Sequence, residues 1–371
     1  MHPSVQALMH KAQSYTYAAP GAMGLPNPSI TVGVNNVPVS TPTRFDRFLP
    51  SNKSVAVAQS FPNRQGRLAK RQLGLSQGDL VRQEAKQQQA KLTLELLTTL
   101  AQRQRVAQSM LAIKNQLVKI SELDHWLKGE LEAGKAVYGR VEELDIQRSE
   151  LREALLSLVG EDQRYKATLH ALVGQTPRTS PPKLTPLAWT VTTPLMVQTA
   201  QIKKQLAKHK VDIAQARLNP DYGVSAVWQQ RVNNASFNGD DWYGLKATIR
   251  VPLWSKWNQQ PKIAGAKMAV KQATLAMDDA QRTARARYDA ALADYHTSLQ
   301  LLDALQKRQK EIRDLEAAME RRYEAGEVTL DRVIQPAISR IRLGLDRARQ
   351  QARQITAAAK IHTLFYAQVD P

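Results

Sequence analysis

The chain of 371 residues contains no cysteine, which excludes disulfide bonds, thiol catalysis and cysteine-based metal sites. It has no run of about 20 apolar residues, so the sequence predicts no transmembrane helix. No secretory signal is visible before the first helical segment, and we expect any targeting peptide to have been removed or to lie outside this sequence. Acidic residues are also scarce: 33 Asp and Glu stand against 52 Lys and Arg, which gives a net charge of +19.

The basic excess raises the question of a nucleic-acid partner, because clustered Lys and Arg neutralise phosphates. Here the basic residues are spread through Gln- and Ala-rich stretches and interleaved with Glu and Asp. That pattern is typical of solvent-exposed helix faces. We therefore expect no nucleic acid as a partner, and keep a soluble coiled-coil scaffold that binds nucleic acid as an alternative.

Catalytic and metal-binding patterns are also missing. The seven histidines are scattered, and no HExxH motif, paired carboxylates or Ser-His-Asp arrangement is present. No two histidines lie at metal-ligand spacing on a predicted helix. The sequence thus predicts a protein that is not an enzyme, with no catalytic residue, cofactor or metal site.

What the sequence does contain is an internal repeat with an offset of 192 residues. Asn27-Pro28 recurs as Asn219-Pro220, and Glu132-Ala133-Gly134 recurs as Glu324-Ala325-Gly326. A unit of this length is too long for a solenoid repeat, so it indicates one duplicated domain. The predicted fold class is mostly α with a small β part.

The repeat divides the chain into a first copy at 1–175, a Pro-rich connector at 176–193 and a second copy at 194–371. The first copy is predicted to contain a lead-in helix at 2–22, strands at about 29–36 and 54–61, a long helix at 66–131 and a return helix at 136–173. The second is predicted to contain a lead-in helix to 217, strands at about 221–230 and 242–251, a long helix at 259–324 and a return helix at 328–368.

The strands alternate apolar and polar residues, which is typical of strands with two different faces. The long helices would reach roughly 90 Å for sixty residues at 1.5 Å per residue, so they need lateral partners. A seam at alternating spacings of four and three predicts coiled-coil packing. In the first copy this seam consists of Val106, Met110, Ile113, Leu117, Ile120, Leu127 and Leu131, with Asp124 at the skipped position.

Several stretches carry a resemblance to a known family. Leu25-Pro26-Asn27-Pro28 and Leu218-Asn219-Pro220-Asp221 precede the first strand of each copy, and Val251-Pro252-Leu253-Trp254 follows the last strand. Arg322-Tyr323-Glu324-Ala325-Gly326-Glu327 precedes the second return helix. In this order, the stretches resemble the outer-membrane efflux protein (TolC-like) family over nearly the whole chain.

The resemblance implies a homotrimer in which each subunit gives four strands to one 12-stranded barrel in outer-membrane lipid. The helices would continue it as an α-helical barrel, so the expected location is the cell outer membrane with a long periplasmic extension. The implied partners are a periplasmic adaptor (membrane fusion) protein and an inner-membrane efflux pump. The implied function is the outer-membrane channel of a tripartite efflux system that exports small toxic solutes.

The resemblance also implies where the functional surfaces lie. The periplasmic tip and gate would involve Gly134, Gly326, Asp331, Arg332 and Gln335. Because family members often carry aspartates beyond the glycine, Arg332 and Gln335 depart from that pattern. Strand alternation predicts that Lys246, Thr248 and Arg250 face the barrel lumen. An aromatic girdle at the membrane interface is predicted from Tyr222, Trp228, Trp242, Tyr243 and Trp254.

Two further hypotheses concern the substrate. Asn35-Asn36-Val37-Pro38 resembles a stretch of the heavy-metal-resistance branch, which would imply export of metal cations. A channel for type I secretion, exporting proteins or peptides, is the alternative within the same fold.

Overall fold

The structure is a computed structural model that describes residues 2–37, 39, 51–132, 138–174, 180–190, 194–231 and 239–365. It is mostly helical, with one antiparallel sheet of four strands. The first copy contains α1 (Pro3–Ala18), a 3₁₀ helix (Ala19–Met23), β1 (Ser29–Asn35), β2 (Asn52–Phe61), α2 (Arg64–Glu132) and α3 (Tyr138–Val173). The second contains α4 (Leu195–Ala216), β3 (Asp221–Gln230), β4 (Trp242–Arg250), α5 (Gln259–Glu324) and α6 (Leu330–Phe365).

The chain divides into two compact units, to both of which α2 and α5 contribute. The sheet unit consists of Ala7–Glu84 and Gln198–Asp279. The helical unit consists of Met1–Gln6, Ala85–Val197 and Ala280–Pro371. Across the described ranges, the helices lack the sustained apolar stretch that a bilayer-spanning helix needs.

In the sheet unit the strands lie in the order β1-β2-β3-β4, and each neighbouring pair is antiparallel. The central pairing of β2 with β3 joins the two copies of the repeat, so the sheet belongs to both. β1 and β4 are its edges, and no other described strand pairs with their outer backbone groups.

Close helix packing in the sheet unit depends on small residues. A Cβ atom placed on Gly74 would lie 3.2 Å from the Ala19 Cβ, and one on Gly78 would lie 3.3 Å from the Ala12 carbonyl oxygen. Glycine at these two positions therefore lets α2 approach α1 and the 3₁₀ helix closely. Arg82 fixes the same contact, because its Nη2 donates a hydrogen bond to Thr16 Oγ1 at 2.8 Å.

In the helical unit the seam of α2 is buried at every seventh residue. Val106, Ile113, Ile120 and Leu127 are all nearly fully buried, as knobs of a heptad repeat are. They form two clusters with α3, one around Leu144 and one around Leu158. The seam weakens at its end, because Leu131 is 37% exposed.

The connector docks onto α5 and α6 through a third cluster, which we name the connector cluster: Leu187, Trp189, Tyr288 and Phe365. The ring of Trp189 lies 5.3 Å from that of Tyr288 and 5.7 Å from that of Phe365. Tyr288 also donates a hydrogen bond from its hydroxyl to the Leu187 carbonyl oxygen at 2.9 Å. The connector is thus held by aromatic packing despite having no regular secondary structure there.

Candidate functional site

The sheet has one apolar and one polar face, because residues paired across antiparallel strands point to the same side. One row of the apolar face runs across all four strands through Ile30, Val57, Ala226 and Leu245. The next row consists of Val32, Val55, Trp228 and Tyr243. These large apolar side chains are exposed, and Leu245 and Tyr243 reach 83% and 85%. A contiguous exposed surface of this kind marks contact with a membrane or another protein.

The polar face carries the residues for which a lumen position was predicted. Lys246 is paired with Ser225, Thr248 with Gly223 and Arg250 with Asp221. All three therefore lie on the face opposite to Leu245. The structure brings them together along one strand, as the alternation of β4 requires.

The predicted girdle residues divide between the two faces. Tyr222 lies at one end of the apolar face, where it is paired with Phe61 and Ile249, and Trp228 and Tyr243 lie towards its other end. Trp242 lies on the polar face instead, paired with Gln229, and the Arg231 guanidinium carbon lies 5.1 Å from its ring centroid. Trp242 and Tyr243 were predicted to lie in one girdle because they are neighbours along the chain. Adjacent residues of a strand point to opposite sides of the sheet, so the two are separated. Trp254 follows β4 in the turn before α5 and is exposed.

The start of β3 is fixed to the start of α2. Asn63 caps α2, because its Oδ1 accepts a hydrogen bond from the Gly66 amide at 2.7 Å. Its own backbone amide and its Nδ2 donate to Asp221 Oδ1 at 2.8 and 3.1 Å. The carboxylate of Asp221 thereby joins the second copy to the first at the junction of sheet and helices.

The second hairpin tip ends α5 with a glycine in the left-handed conformation. Gly326 has φ +74°, its amide donates to the Tyr323 carbonyl, and the Glu327 amide donates to the Arg322 carbonyl, both at 2.9 Å. These two bonds define a Schellman motif. An ion pair between Arg322 Nε and Glu327 Oε2 at 3.1 Å spans the same turn.

The other predicted gate residues are placed only in part. Arg332 and Gln335 lie in the first two turns of α6 and are exposed. Gly134 lies outside the described residues, as does the side chain of Asp331. The participation of these residues in a gate stays a prediction.

A buried ion pair recurs in both hairpins. Asp124 of α2 lies 2.9 Å from the Arg148 guanidinium of α3, and Glu316 of α5 lies 3.2 Å from that of Arg340 of α6. Both carboxylates are buried, and both pairs are related by the repeat offset of 192 residues. We call these the repeated ion pairs. They connect the outgoing to the return helix of each hairpin.

The two repeated ion pairs differ in their surroundings. Asp124 has a second cation, Lys128, at 3.1 Å. Burial by itself raises the pKa of Asp124, but hydrogen bonds and charges from Lys128 and Arg148 outweigh it, so the pKa lies below its ordinary value. At the position of Lys128 the second copy has Glu320, so Glu316 has no corresponding second cation.

Sequence reasoning noted Asp124 only as an interruption of the apolar seam. Applying the repeat offset to this position would have found Glu316, another acid at a seam position. The same offset relates Arg148 to Arg340. Sequence alone does not show that the acid and the arginine meet, because this depends on how α3 and α6 pack back.

Comparisons with known proteins find similarity to this chain both in sequence and in fold. Residues 195–335 match the model of the family described as outer membrane efflux protein. The match covers 141 of the chain's 371 residues, all of them in the second copy of the repeat. No curated protein matches the chain at the level of sequence.

Solved structures share the fold at low sequence identity. The outer membrane protein VceC from Vibrio cholerae is 17% identical, with a TM-score of 0.78 over 98% of this chain and 93% of VceC. The outer-membrane channel OprN is 14% identical, with a TM-score of 0.82 over 100% of this chain and 88% of OprN. The CmeC outer membrane channel from Campylobacter jejuni is 10% identical, with a TM-score of 0.79 over 98% of this chain and 83% of CmeC.

At these identities, the likeness shows that the chain shares the fold of these outer-membrane proteins. The predicted fold class, mostly α with a small β part, is thereby confirmed.

Proposed function

We propose that the chain is the outer-membrane component of a tripartite efflux system, and that it carries small solutes from periplasm to exterior. A periplasmic adaptor protein and an inner-membrane pump are the proposed partners. The observation that carries this proposal is the sheet whose two faces differ. An apolar exposed face suits lipid, and the opposite face bearing Lys246, Thr248 and Arg250 suits a water-filled lumen.

Closure of the sheet into a barrel follows from its edges. Among the described strands, β1 and β4 have unpaired outer backbone groups, and such edges are not tolerated in the hydrocarbon region. Pairing of β4 with β1 of another copy removes both edges. Three copies of four strands make the 12-stranded barrel that the family resemblance implies.

Export of metal cations stays a prediction, and the structure explains two of the residues that suggested it. Asn36 has φ 53°, which asparagine tolerates better than most residues. Asn35 donates from its Nδ2 to Asn52 Oδ1 at 2.8 Å across the β1–β2 pair. Both asparagines therefore have a role in the turn that involves no metal.

A positively charged lumen face favours anionic or neutral solutes over cations. We therefore propose anionic or neutral solutes as the substrates.

No observation favours the type I secretion role, and the exposed apolar face argues against a soluble scaffold. A large apolar surface facing water promotes aggregation unless lipid or a partner covers it.

The experiment compares one arginine placed on each face of β4. Leu245→Arg puts a charge into the proposed lipid face and is expected to cost about 2–4 kcal/mol at mid-depth of the bilayer. Thr248→Arg puts the same charge into the proposed lumen face, where water solvates it. We expect heat-modifiable trimers in the outer-membrane fraction to be strongly reduced for the first variant and retained for the second.

Conductance in planar bilayers tests the lumen directly. Lys246→Glu is expected to shift the reversal potential in a salt gradient towards cation selectivity, whereas Lys271→Glu on an exposed face of α5 is its control. Equal loss of trimers in both arginine variants would contradict the assignment of the faces, and so would an unchanged reversal potential for Lys246→Glu.

A further inference from the structure

A basic cavity of about 430 Å³ lies in the sheet unit, at the junction of β4 with α5. Three cationic side chains line it: Arg217 from the turn after α4, Arg250 at the end of β4 and Lys262 in the first turn of α5. The carboxylate of Asp221 lines it as well, so the lining has a net charge of +2. Cavities of about 300–1,000 Å³ hold small organic molecules, whereas an inorganic ion would fill only a part of this one.

These charges are not neutralised within the described part of the chain. Among the described residues, no carboxylate lies within ion-pair distance of any of the three cations. Lys262 donates a hydrogen bond to the neutral Asn258 Oδ1, at 2.5 Å. Asp221 is the cross-strand partner of Arg250, yet its Oδ1 accepts hydrogen bonds from the backbone amide and the Nδ2 of Asn63. An anion from outside the chain would therefore find three cations available.

The first copy of the repeat shows that the fold does not require these charges. Leu25 stands at the position of Arg217, and Lys70 stands at that of Lys262. The residue at the position of Arg250 is uncharged, whether the strands are aligned by the offset of 192 or by the proline that follows each of them. The first copy thus has one cation where the second has three, although β2 leads into α2 as β4 leads into α5.

The cavity includes one end of the polar face of the sheet. Arg250 and Asp221, which line it, both belong to that face. Lys246 lies on the same face four residues earlier in β4, roughly 14 Å away at about 3.4 Å per residue. Of the strand residues on the polar face, only Asp221 is acidic. A solute that moves along this face would therefore meet the three cations of the cavity at one end and Lys246 beyond them.

We propose that this cavity is a binding site for small organic solutes with several negatively charged groups, and that Arg217, Arg250 and Lys262 bind them on their way through the lumen. This site rests on the proposed function, because only a polar face that lines the lumen brings exported solutes to it. A solute that passes through a channel must bind weakly enough to leave again. The three cations are exposed to water, and water and salt screen exposed charges, so weak binding is expected.

The test measures binding by isothermal titration calorimetry on the detergent-purified full chain at low salt. The probe is trimesate, a benzene ring bearing three carboxylates, and its uncharged match is trimesamide. The main variant combines Arg217→Leu, which introduces the residue of the first copy, with Arg250→Gln and Lys262→Gln. Lys262→Gln alone is the smaller change. The control is Lys267→Gln with Lys271→Gln, since both lysines are exposed on α5 and do not line the cavity.

We expect the parent protein to bind trimesate and not trimesamide, and added salt should weaken this binding. A charge pair that is open to water contributes about threefold to fivefold to affinity, so the triple variant should bind at least about 30-fold more weakly and Lys262→Gln about threefold more weakly. The double control should bind as the parent does. In planar bilayers, trimesate should lower the conductance of the parent at the concentrations that fill the site.

Three outcomes overturn the proposal. Equal affinity of the triple variant and the parent would show that the cavity does not bind trimesate. An equal loss of affinity in the double control would reduce the binding to the overall positive charge of the chain. Inorganic phosphate that binds as tightly as trimesate would make the cavity a site for inorganic anions.

The same measurements separate the site from the proposed function. In each of the three cases, heat-modifiable trimers in the outer-membrane fraction that conduct ions would leave the channel function intact. A parent protein that binds trimesate in the cavity but neither reaches the outer-membrane fraction nor conducts ions would contradict the channel function, and with it the role of the site in export.

Discussion

The repeated ion pairs give the sharpest prediction for the helical hairpins. Arg340→Gln removes the cation from Glu316, whose side chain is 11% exposed, while Arg340 itself is 37% exposed. Removing one partner of a fully buried pair costs about 3–5 kcal/mol. Because this pair retains partial contact with water, we expect the opening free energy of the second hairpin to fall by about 2 kcal/mol.

The first hairpin should be less sensitive to the same change. Arg148→Gln leaves Asp124 with Lys128, at 3.1 Å from its carboxylate. The remaining i,i+4 ion pair has an exposed lysine and contributes only tenths of a kcal/mol, yet it keeps the carboxylate hydrogen-bonded. We expect a loss of about 1 kcal/mol, so the second hairpin should respond more strongly than the first.

Hydrogen exchange followed by mass spectrometry measures these local openings in the intact protein. A loss of 2 kcal/mol corresponds to exchange about 30-fold faster in peptides around Glu316 and Arg340, since each 1.4 kcal/mol is a factor of ten. Arg342→Gln and Arg152→Gln are matched controls, because both arginines are exposed on the same return helices. Exchange within twofold of the parent for Arg340→Gln, or a larger effect for Arg148→Gln, would refute the reasoning.

Three further predictions test other parts of the molecule. Gly326→Ala should lower the free energy of unfolding by about 1 kcal/mol, because φ is +74° at this position. Gly129→Ala inside α2 should raise the free energy of unfolding by about 0.5–1 kcal/mol, and changes of the same sign in thermal unfolding would contradict this. Trp189→Ala should cost about 2–3 kcal/mol through loss of the connector cluster, while exposed Trp257→Ala leaves the thermal midpoint unchanged. The pKa of Asp124 is lowered from its ordinary value of 3.8, so the ionised carboxylate stabilises the folded protein above that value. This stabilisation is lost as pH falls through the lowered pKa. Asp124→Asn should therefore flatten the dependence of the unfolding free energy on pH below about pH 4.

Much of the fold is readable in the sequence because its patterns are periodic. Apolar and polar residues alternate along β3 and β4 because the two faces of the sheet have different surroundings. The pairing of β3 with β4 in the structure agrees with this alternation. The break of α5 is readable because Gly326 alone in its neighbourhood tolerates a positive φ without strain. Local patterns of this kind need no knowledge of distant residues.

Other features needed the pairing of distant segments. Trp242 and Tyr243 are neighbours along the chain and were predicted to share one girdle, yet the register places the two on opposite faces. The cavity at the junction of β4 with α5 is lined by Arg217, Arg250 and Lys262, which lie up to 45 positions apart along the chain, so no single stretch reveals it.

The sequence by itself determined the duplication, the order of strands and helices and the apolar seams, since each is a repetition along one dimension. It did not determine which charges are buried and paired. Asp124 and Arg148 are ordinary helix residues until α3 packs back against α2, and only that contact makes one the partner of the other. The physical reason is that an ion pair depends on distance in space and on burial, and both arise only when the helices are packed.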